Sequence, residues 1–399
     1  SGHTYNFFKN AFGYRSFDGA DAQMQIVNNL DAPGWCPNAS WNGTTINFCD
    51  GTASDDVVGH EWGHAYDQYT SNLIYAWQSG AIDESYADIW GETIDLFNNY
   101  EDDGEDLSLR TGCDSSDRWM LGEDAVAFGG AIRDIWDPTC KGDPGKVTDA
   151  EYFCDGGDSG GVHSNSGIPN HAYGLLVDGG TYNGQTITGI GFTKAAHIFW
   201  RAQSQYLTET SDFTAFADAL EAASTDLLGI NLEGLSTEPT AAGPSGEIIT
   251  TNDLDQVTNV ILAVELRIVP ECYTPILVPL ENELCEEATN SPIFFEDWES
   301  GFGAWRIFEL PVNPDSWIPR NWQIISTGDP EFGDIVFGPA WDIGDCSTEF
   351  QNGIIRLQSP VITMPDDPDA TFEMAFGQAI SIENGYDGGN LKYSLNGGP

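Results

Sequence analysis

Basic side chains are the first scarcity. Lys and Arg number 14 against 63 Asp and Glu, a formal net charge of −49 over 399 residues. A surface of that sign repels phosphate backbones and anionic headgroups, so nucleic acid and anionic membranes are excluded as partners. No apolar run reaches membrane-spanning length, which excludes insertion as a helix, and no signal peptide opens the chain. Ser1 therefore reads as the start of a processed, secreted form. None of the eight cysteines forms a C-x-x-C. Their even number in an acidic, Trp-rich chain predicts disulfides and an oxidising, extracellular compartment. Loop length predicts the pairs Cys36–Cys49, Cys140–Cys154 and Cys272–Cys285, with Cys113 and Cys346 unassigned. There is no internal repeat and no low-complexity tract. The acidic excess is spread along the chain, as in salt-adapted or marine secreted proteins, and leaves carboxylates for calcium.

What is present is a chain long enough for two or more folded units, 40% hydrophobic and 12% aromatic. Residues 3–30 predict a short helix running into extended structure. Residues 31–52 alternate apolar and polar positions between N-G and D-G turns and predict strands. Asn38 and Asn42 stand in formal glycosylation sequons, to which no weight is given. Ser54 caps a helix carrying Asp55 and Asp56 in its first turn, where the helix dipole favours them. A second helix covers 79–99, and loops at 100–117 and 138–169 flank a packed segment at 118–137. Helical periodicity returns at 170–180 and 192–228, and a last helix runs over 252–267. Residues 268–291 are rich in Pro and Glu and read as a linker or strap. From 292 to 399, six or more short apolar segments between Gly, Pro, Asp and Asn predict a β-sandwich that stops just after a strand, as if cut within the domain.

The chemistry gathers at residues 55–68, DDVVGHEWGHAYDQ. His60-Glu61-Trp62-Gly63-His64 is an H-E-x-x-H, and on a helix positions i and i+4 share a face, so both imidazoles can address one metal ion. Glu61 is placed to reach a water on that ion without binding it, an arrangement suited to zinc hydrolysis. The plain alternative is a surface helix that carries two histidines by chance. A hydrolytic zinc site takes three protein ligands. The residues after His64 offer no third histidine, whereas Glu84, 20 residues on and past a turn, can return on an antiparallel helix. Asp88, one turn further on, can accept the free N–H of a ligand histidine. Ile89, Trp90, Ile94 and Leu96 mark that helix as buried, where an unpaired carboxylate would be costly.

These residues resemble the thermolysin-like zinc metallopeptidases, the gluzincin type that holds zinc with two His and one Glu. Asn38-Ala39-Ser40-Trp41 is similar to the family's substrate-binding edge strand, and Leu73-Ile74-Tyr75 to the segment with a transition-state tyrosine. Ala131-Ile132-Arg133 followed by Asp137-Pro138 matches the segment with the substrate-carbonyl arginine. Asp158-Ser159-Gly160-Gly161-Val162-His163-Ser164-Asn165-Ser166-Gly167 matches the one with the catalytic histidine and its aspartate. The resemblance covers roughly residues 3–267 in the family's order.

It implies an α+β fold: a two-lobe peptidase over 1–267, with strands and the zinc helix in the N-lobe and a mostly helical C-lobe, the lobes meeting near 69–80. It implies one zinc on His60, His64 and Glu84, with Glu61 as general base and Tyr75 and His163 as oxyanion donors. Asp158 would orient His163, Arg133 and the Asn38–Ala39 strand would hold the peptide, and Asp83 and Asp88 would support the ligand histidines. Val57, Leu121 and Ile132 resemble a pocket for a bulky hydrophobic residue after the cut. The expected activity is a secreted endopeptidase acting on proteins or peptides. The alternatives are a non-catalytic binding or matrix protein that keeps the fold, and a zinc hydrolase of non-peptide substrates. Two departures stand out. The family's longer N-terminal lobe is only partly matched, so a sheet-forming segment is missing or lies on another piece of chain. At the calcium site Asp56, Asp95 and Glu123 match, Arg118 replaces an acidic ligand, and Asp117 is the expected substitute, which implies one calcium. The tail, through FFEDWESGFGAWRI and LQSPVITMP, resembles jelly-roll (MAM-like) domains that would bind substrate, glycan or a surface, or cap the fold.

Overall fold

The computed structural model describes residues 1–98, 106–273, 292–311, 321–328, 333–338, 353–365, 374 and 376–377. Helix α1 (Gly2–Phe12) buries Phe7 and Phe8 and stops at Gly13, whose φ of 69° is a left-handed cap. Strands β1 (Ile26–Leu30), β2 (Ala39–Trp41) and β3 (Ile46–Cys49) follow. Their order is β1-β3-β2, with β3 parallel to β1 and antiparallel to β2. The central strand is the buried one, through Ile46 and Phe48, and β2 is an edge.

Two helices organise the rest. Helix α2 (Asp55–Gln68) carries the H-E-x-x-H, and helix α3 (Trp77–Asn98) runs antiparallel against it. Small residues let the two backbones approach. A Cβ on Gly63 would stand 2.5 Å from the Ala87 Cα, and one on Gly59 would stand 2.8 Å from the Gly91 Cα. Every residue of α3 from Gln78 to Asp95 is buried. The turn between the helices is held by Asp67, whose carboxylate accepts from the Leu73 N–H at 2.9 Å and from the Ser71 hydroxyl.

One short antiparallel ladder follows, β4 (Met120–Leu121) against β5 (Arg133–Asp134). The helical lobe then continues with α4 (Asp158–Asn165) and α5 (Gly167–Asp178). Beyond the β6–β7 hairpin (Gly180–Tyr182, Gln185–Ile187) it is completed by α6 (Phe192–Gln205) and α7 (Phe213–Asp226). Strands β8 (Asn231–Glu233) and β9 (Pro244–Ile248) lead to α8 (Thr251–Ala263). The expected helical stretch over 192–228 divides because Asp212 caps a new helix, accepting from the Ala215 N–H at 2.9 Å. One hydrophobic core runs from Phe7 to Leu266. Its aromatic centre joins α1 to the lobe: Phe8 stacks on Tyr66 at 3.7 Å and meets Trp90 and Trp200 edge-on. Among the described residues no helix is long and apolar enough to cross a membrane.

Cys36–Cys49 forms as expected. The other two expected pairings, Cys140–Cys154 and Cys272–Cys285, are replaced: Cys140 joins Cys113, and Cys272 joins Cys154, 118 residues away. Closing a longer loop costs little extra entropy, so spacing is a weak guide and the path of the packed chain decides. Cys285 and Cys346 lie outside the described residues.

After residue 291 the described residues hold two separate antiparallel ladders. These are β10 (Arg306–Pro311) with β13 (Gly353–Gln358), and β11 (Gln323–Ser326) with β12 (Asp334–Phe337). The strand expected near 292–299 is replaced by turns in which Trp298 packs on Trp305 at 4.9 Å. The last two of the short apolar segments expected as strands, ATFEMAFGQAI (370–380) and NLKYSL (390–395), fall almost wholly outside the described residues.

The α2–α3 contact makes a prediction. Gly63→Ala gains helix propensity but drives a Cβ into backbone, so a net loss of about 1–3 kcal/mol is expected. At about 2–4 °C of Tm per kcal/mol for a unit of this size, thermal unfolding will read it. Gly112→Ala, which meets nothing within 4 Å, should leave Tm in place.

Candidate active site

The antiparallel crossing of α2 and α3 sets His60 and His64 against Asp88, Glu84 and Asp83. His60 Nδ1 lies 2.8 Å from Asp88 Oδ1 and His64 Nδ1 lies 3.0 Å from Asp83 Oδ1. A carboxylate accepts only, so each imidazole donates from Nδ1 and turns Nε2 inward. The two Nε2 atoms are 3.1 Å apart. Glu84 faces them with Oε2 at 3.6 Å from His60 and Oε1 at 3.5 Å from His64. Oε2 of Glu84 is buried and accepts no hydrogen bond. Two converging ring nitrogens beside a buried anion call for positive charge between them, supplied by a proton or by a metal ion. Two imidazoles and a carboxylate are a zinc-type donor set, so these residues fit that metal.

Electrostatics agree with this geometry. Burial alone would lower the His64 pKa, but Asp83, Glu84 and Glu61 outweigh it and raise it to about 10. Burial would raise Glu84, but His163, His64, His60 and Arg133 hold it at about 2. Asp88 is the hub of the second layer. It accepts from Arg133 Nε at 2.7 Å and Nη2 at 2.6 Å, and from Asn170 Nδ2 at 2.8 Å, besides His60. Despite full burial, Arg133 and His60 keep it well below the usual carboxylate range. Glu61, next to His60 and also buried, is pushed up by desolvation, with the imidazoles opposing.

Over the open side stand two donors, Tyr75 from the turn before α3 and His163 from α4. The Tyr75 hydroxyl donates to Glu84 Oε1 and lies 3.2 Å from His163 Nε2, which is itself 3.3 Å from Glu84 Oε1. Asp158 receives His163 Nδ1 at 2.6 Å and the His163 N–H at 3.0 Å. Residues 158–161 all have positive φ. Glycine is needed at 160 and 161 because a Cβ there would overlap the rings of Trp77 and Phe153. Val57 and Leu121 are buried, while Ile132 is 38% exposed, its N–H bonded to the Leu121 carbonyl at 2.7 Å. On the edge strand, Asn38 Oδ1 accepts from the Ala39 N–H at 2.9 Å, and Trp41 ties the strand to Gln68 at the end of α2.

The ten residues expected around the zinc (His60, Glu61, His64, Tyr75, Asp83, Glu84, Asp88, Arg133, Asp158 and His163) thus converge. The expected calcium set is only partly gathered. Asp56 and Glu123 come together with Glu92, which the sequence reading missed, in a cluster whose oxygens lie within 4.8 Å. Asp95 is outside that trio, raised to about 11 by burial, Asp55 and Asp56. Asp117 is not there either: its carboxylate accepts from the Asp106 N–H at 3.0 Å. Arg118 instead makes two hydrogen bonds to Asp178, at 2.7 and 2.6 Å. The signal for Glu92 was available, since Glu84, Asp88 and Glu92 repeat every four residues on one helix face. Asn170 and Trp77 were also missed, with no comparable signal.

Two packed helices presenting an H-E-x-x-H to a glutamate, with a tyrosine and a histidine above, define the class: a metallopeptidase architecture of the gluzincin type. Family models agree in order and extent. Residues 1–68 match the thermolysin metallopeptidase catalytic domain and residues 71–237 match its alpha-helical domain. The chain belongs to the thermolysin metallopeptidase family. A zinc metalloproteinase of Renibacterium salmoninarum is 36% identical over 240 residues, covering 58% of this chain and 39% of that protein. Bacillolysin of Bacillus cereus is 36% identical over 243 residues, with the same coverage. Thermolysin of Alicyclobacillus acidocaldarius is 36% identical over 240 residues, covering 57% of this chain and 40% of that protein. The chain thus spans about two fifths of the length of these relatives.

Removing the hub carboxylate should cost more than removing an exposed one. Asp88→Ala strands Arg133 and His60, and an expected loss of about 3–5 kcal/mol will appear in urea unfolding. Asp158→Ala, at the surface, should cost only about 1 kcal/mol.

Proposed function

We propose that this chain is a secreted, zinc-dependent endopeptidase. The observation that carries the reading is the convergence of His60 Nε2, His64 Nε2 and the Glu84 carboxylate beneath Tyr75 and His163. His60, His64 and Glu84 would hold the ion, with Asp88 and Asp83 fixing the two imidazole tautomers. When bound, zinc supplies a Lewis acid that acidifies water and polarises a peptide carbonyl.

The chain's own residues do the rest. Glu61, its pKa raised by burial, is a general base for the attacking water. The proton it takes is then available to the leaving amine. Tyr75 and His163 donate to the oxygen that gains charge in the transition state. Glu84 raises the His163 pKa against burial, and Asp158 adds to the rise. The imidazole can then keep Nδ1–H on Asp158 and offer Nε2–H to the oxyanion. Arg133 is oriented by its two bonds to Asp88 and has Nη1 left for a substrate carbonyl. The edge strand with Asn38 and Ala39 suits an extended peptide adding as a further strand. Val57, Leu121 and Ile132 supply apolar surface for a bulky residue after the cut. A zinc hydrolase of non-peptide substrates would have no use for this clamp, and a non-catalytic protein that keeps the fold would have no use for Glu61. Disulfides among the described residues support an oxidising, extracellular setting.

One structural calcium is part of the same reading. Asp56, Glu92 and Glu123 offer only oxygen, and Glu92 Oε1 is buried without a hydrogen-bond partner. Burial and the neighbouring Glu123 and Asp56 push Glu92 well above its ordinary pKa, a cost that a hard cation would remove. The described tail carries no constellation of this kind.

Two measurements test this. Glu61→Gln should lower casein cleavage by about 10²-fold or more while one equivalent of zinc stays bound. Full activity in that variant overturns the mechanism. Calcium should raise Tm by an increment that Glu92→Gln largely removes, because a ligand that binds only the folded state stabilises it by mass action. An increment equal in both proteins rejects the site.

A further inference from the structure

We propose that the β11–β12 hairpin, acting through Trp77, is a positioning element for the two donors Tyr75 and His163, which rests on the peptidase reading above. Ile325 on β11 is 6% exposed and forms a separate apolar cluster with Ile74 and Ala76, the two neighbours of Tyr75. Trp77, Ile335 and Phe337 close around that cluster. The hairpin, distant in sequence, thus packs on the residues on both sides of Tyr75, which is itself 42% exposed.

Trp77 extends the contact to the other donor. Its φ of 51° is a left-handed conformation that a bulky residue rarely adopts, so its surroundings must hold it there. The ring lies so close to Gly160 that any Cβ at 160 would overlap it. Gly160 belongs to the left-handed turn that runs from Asp158 into His163. One indole therefore touches the hairpin cluster on one side and the histidine turn on the other. The hairpin is anchored nearby: Gly328 packs on Thr208. The neighbouring Glu209 takes the Ile74 N–H at 2.8 Å on its carbonyl and Asn72 Nδ2 at 2.9 Å on its carboxylate.

Neither donor sits securely in a helix. Tyr75 is in the turn before α3, and His163 follows a non-helical kink inside α4. Their 3.2 Å separation depends on the turn before α3 and on the kinked start of α4, and Trp77 touches both. Since misplacement of a catalytic group by about 1 Å can cost about 10²-fold in rate, a brace at this point governs turnover more than binding. The role assigned to Ile325 and Trp77 is positioning, not chemistry.

The test uses the full chain with Ile325→Ser, the conservative Ile325→Val, and Ile354→Ser on the unrelated β13 as control. Hydrogen exchange needs no activity: amides of residues 73–80 and 158–164 should exchange faster in Ile325→Ser only. In peptide hydrolysis, Ile325→Ser should lower kcat by about 10- to 100-fold with KM within about 2-fold and zinc content unchanged. Ile325→Val should restore most of the rate, and in a Tyr75→Phe background the same change should cost less. If Ile325→Ser does not fold, Ile325→Ala is read in its place. Unchanged exchange in both segments, or equal losses with and without Tyr75, overturns the proposal. Faster exchange in a protein whose wild type cleaves no peptide would keep the brace and reject the peptidase reading instead.

Discussion

Five carboxylates on the buried stretch of one helix are the constraint on which the structure depends. Asp83, Glu84, Asp88, Glu92 and Asp95 all lie in the stretch of α3 from which solvent is excluded. A buried carboxylate must be paired, coordinated or protonated. The N-terminal half meets the constraint with cationic and hydrogen-bonding partners. His60, His64 and Arg133 face Asp88, Asp83 and Glu84, and the field they create keeps Glu84 and Asp88 ionised. The C-terminal half faces other acids, and Glu92 and Asp95 are driven the opposite way. One helix therefore carries two different solutions. The first suits a borderline metal bound by nitrogen and oxygen, the second a hard cation bound by oxygen alone.

The close approach of α2 and α3 makes the first solution possible. Gly59, Gly63 and Gly91 remove the side chains that would otherwise hold the helices apart, so the imidazoles reach across to Asp83, Glu84 and Asp88 at hydrogen-bonding range. The zinc-type donor set is then a product of backbone packing, and the second layer through Asp88 ties it to Arg133 and Asn170. The donors around Asp88 come from three different elements, α2, β5 and α5.

Much of this was legible in the sequence because helical periodicity is local. His60 and His64 share a face by spacing alone, Glu84 could be placed by one turn and one return helix, and Asp88 followed from the next turn. Glu92 lay on the same four-residue stripe and was overlooked in favour of Asp117, which the chain uses to fold its own loop. The disulfides of Cys140 and Cys154 were misjudged because loop length carries little energetic preference, while the three-dimensional path that sets Cys154 beside Cys272 is not a local property. The packing of Ile325 on the neighbours of Tyr75 is equally non-local. Some strands of the tail were visible as short apolar segments, but their arrangement as separate ladders, and the seat of one ladder beside the Tyr75 turn, depended on contacts between distant segments.

The central claim is that two imidazoles and one carboxylate, and no cysteine, hold a single metal between α2 and α3. X-ray absorption at the zinc edge of the metal-loaded protein tests it most directly. The account predicts a four- or five-coordinate site with two imidazole nitrogens at about 2.0–2.1 Å, the remainder oxygen, and no sulfur. Sulfur scattering at about 2.3 Å, or a shell with fewer than two imidazoles, would contradict it.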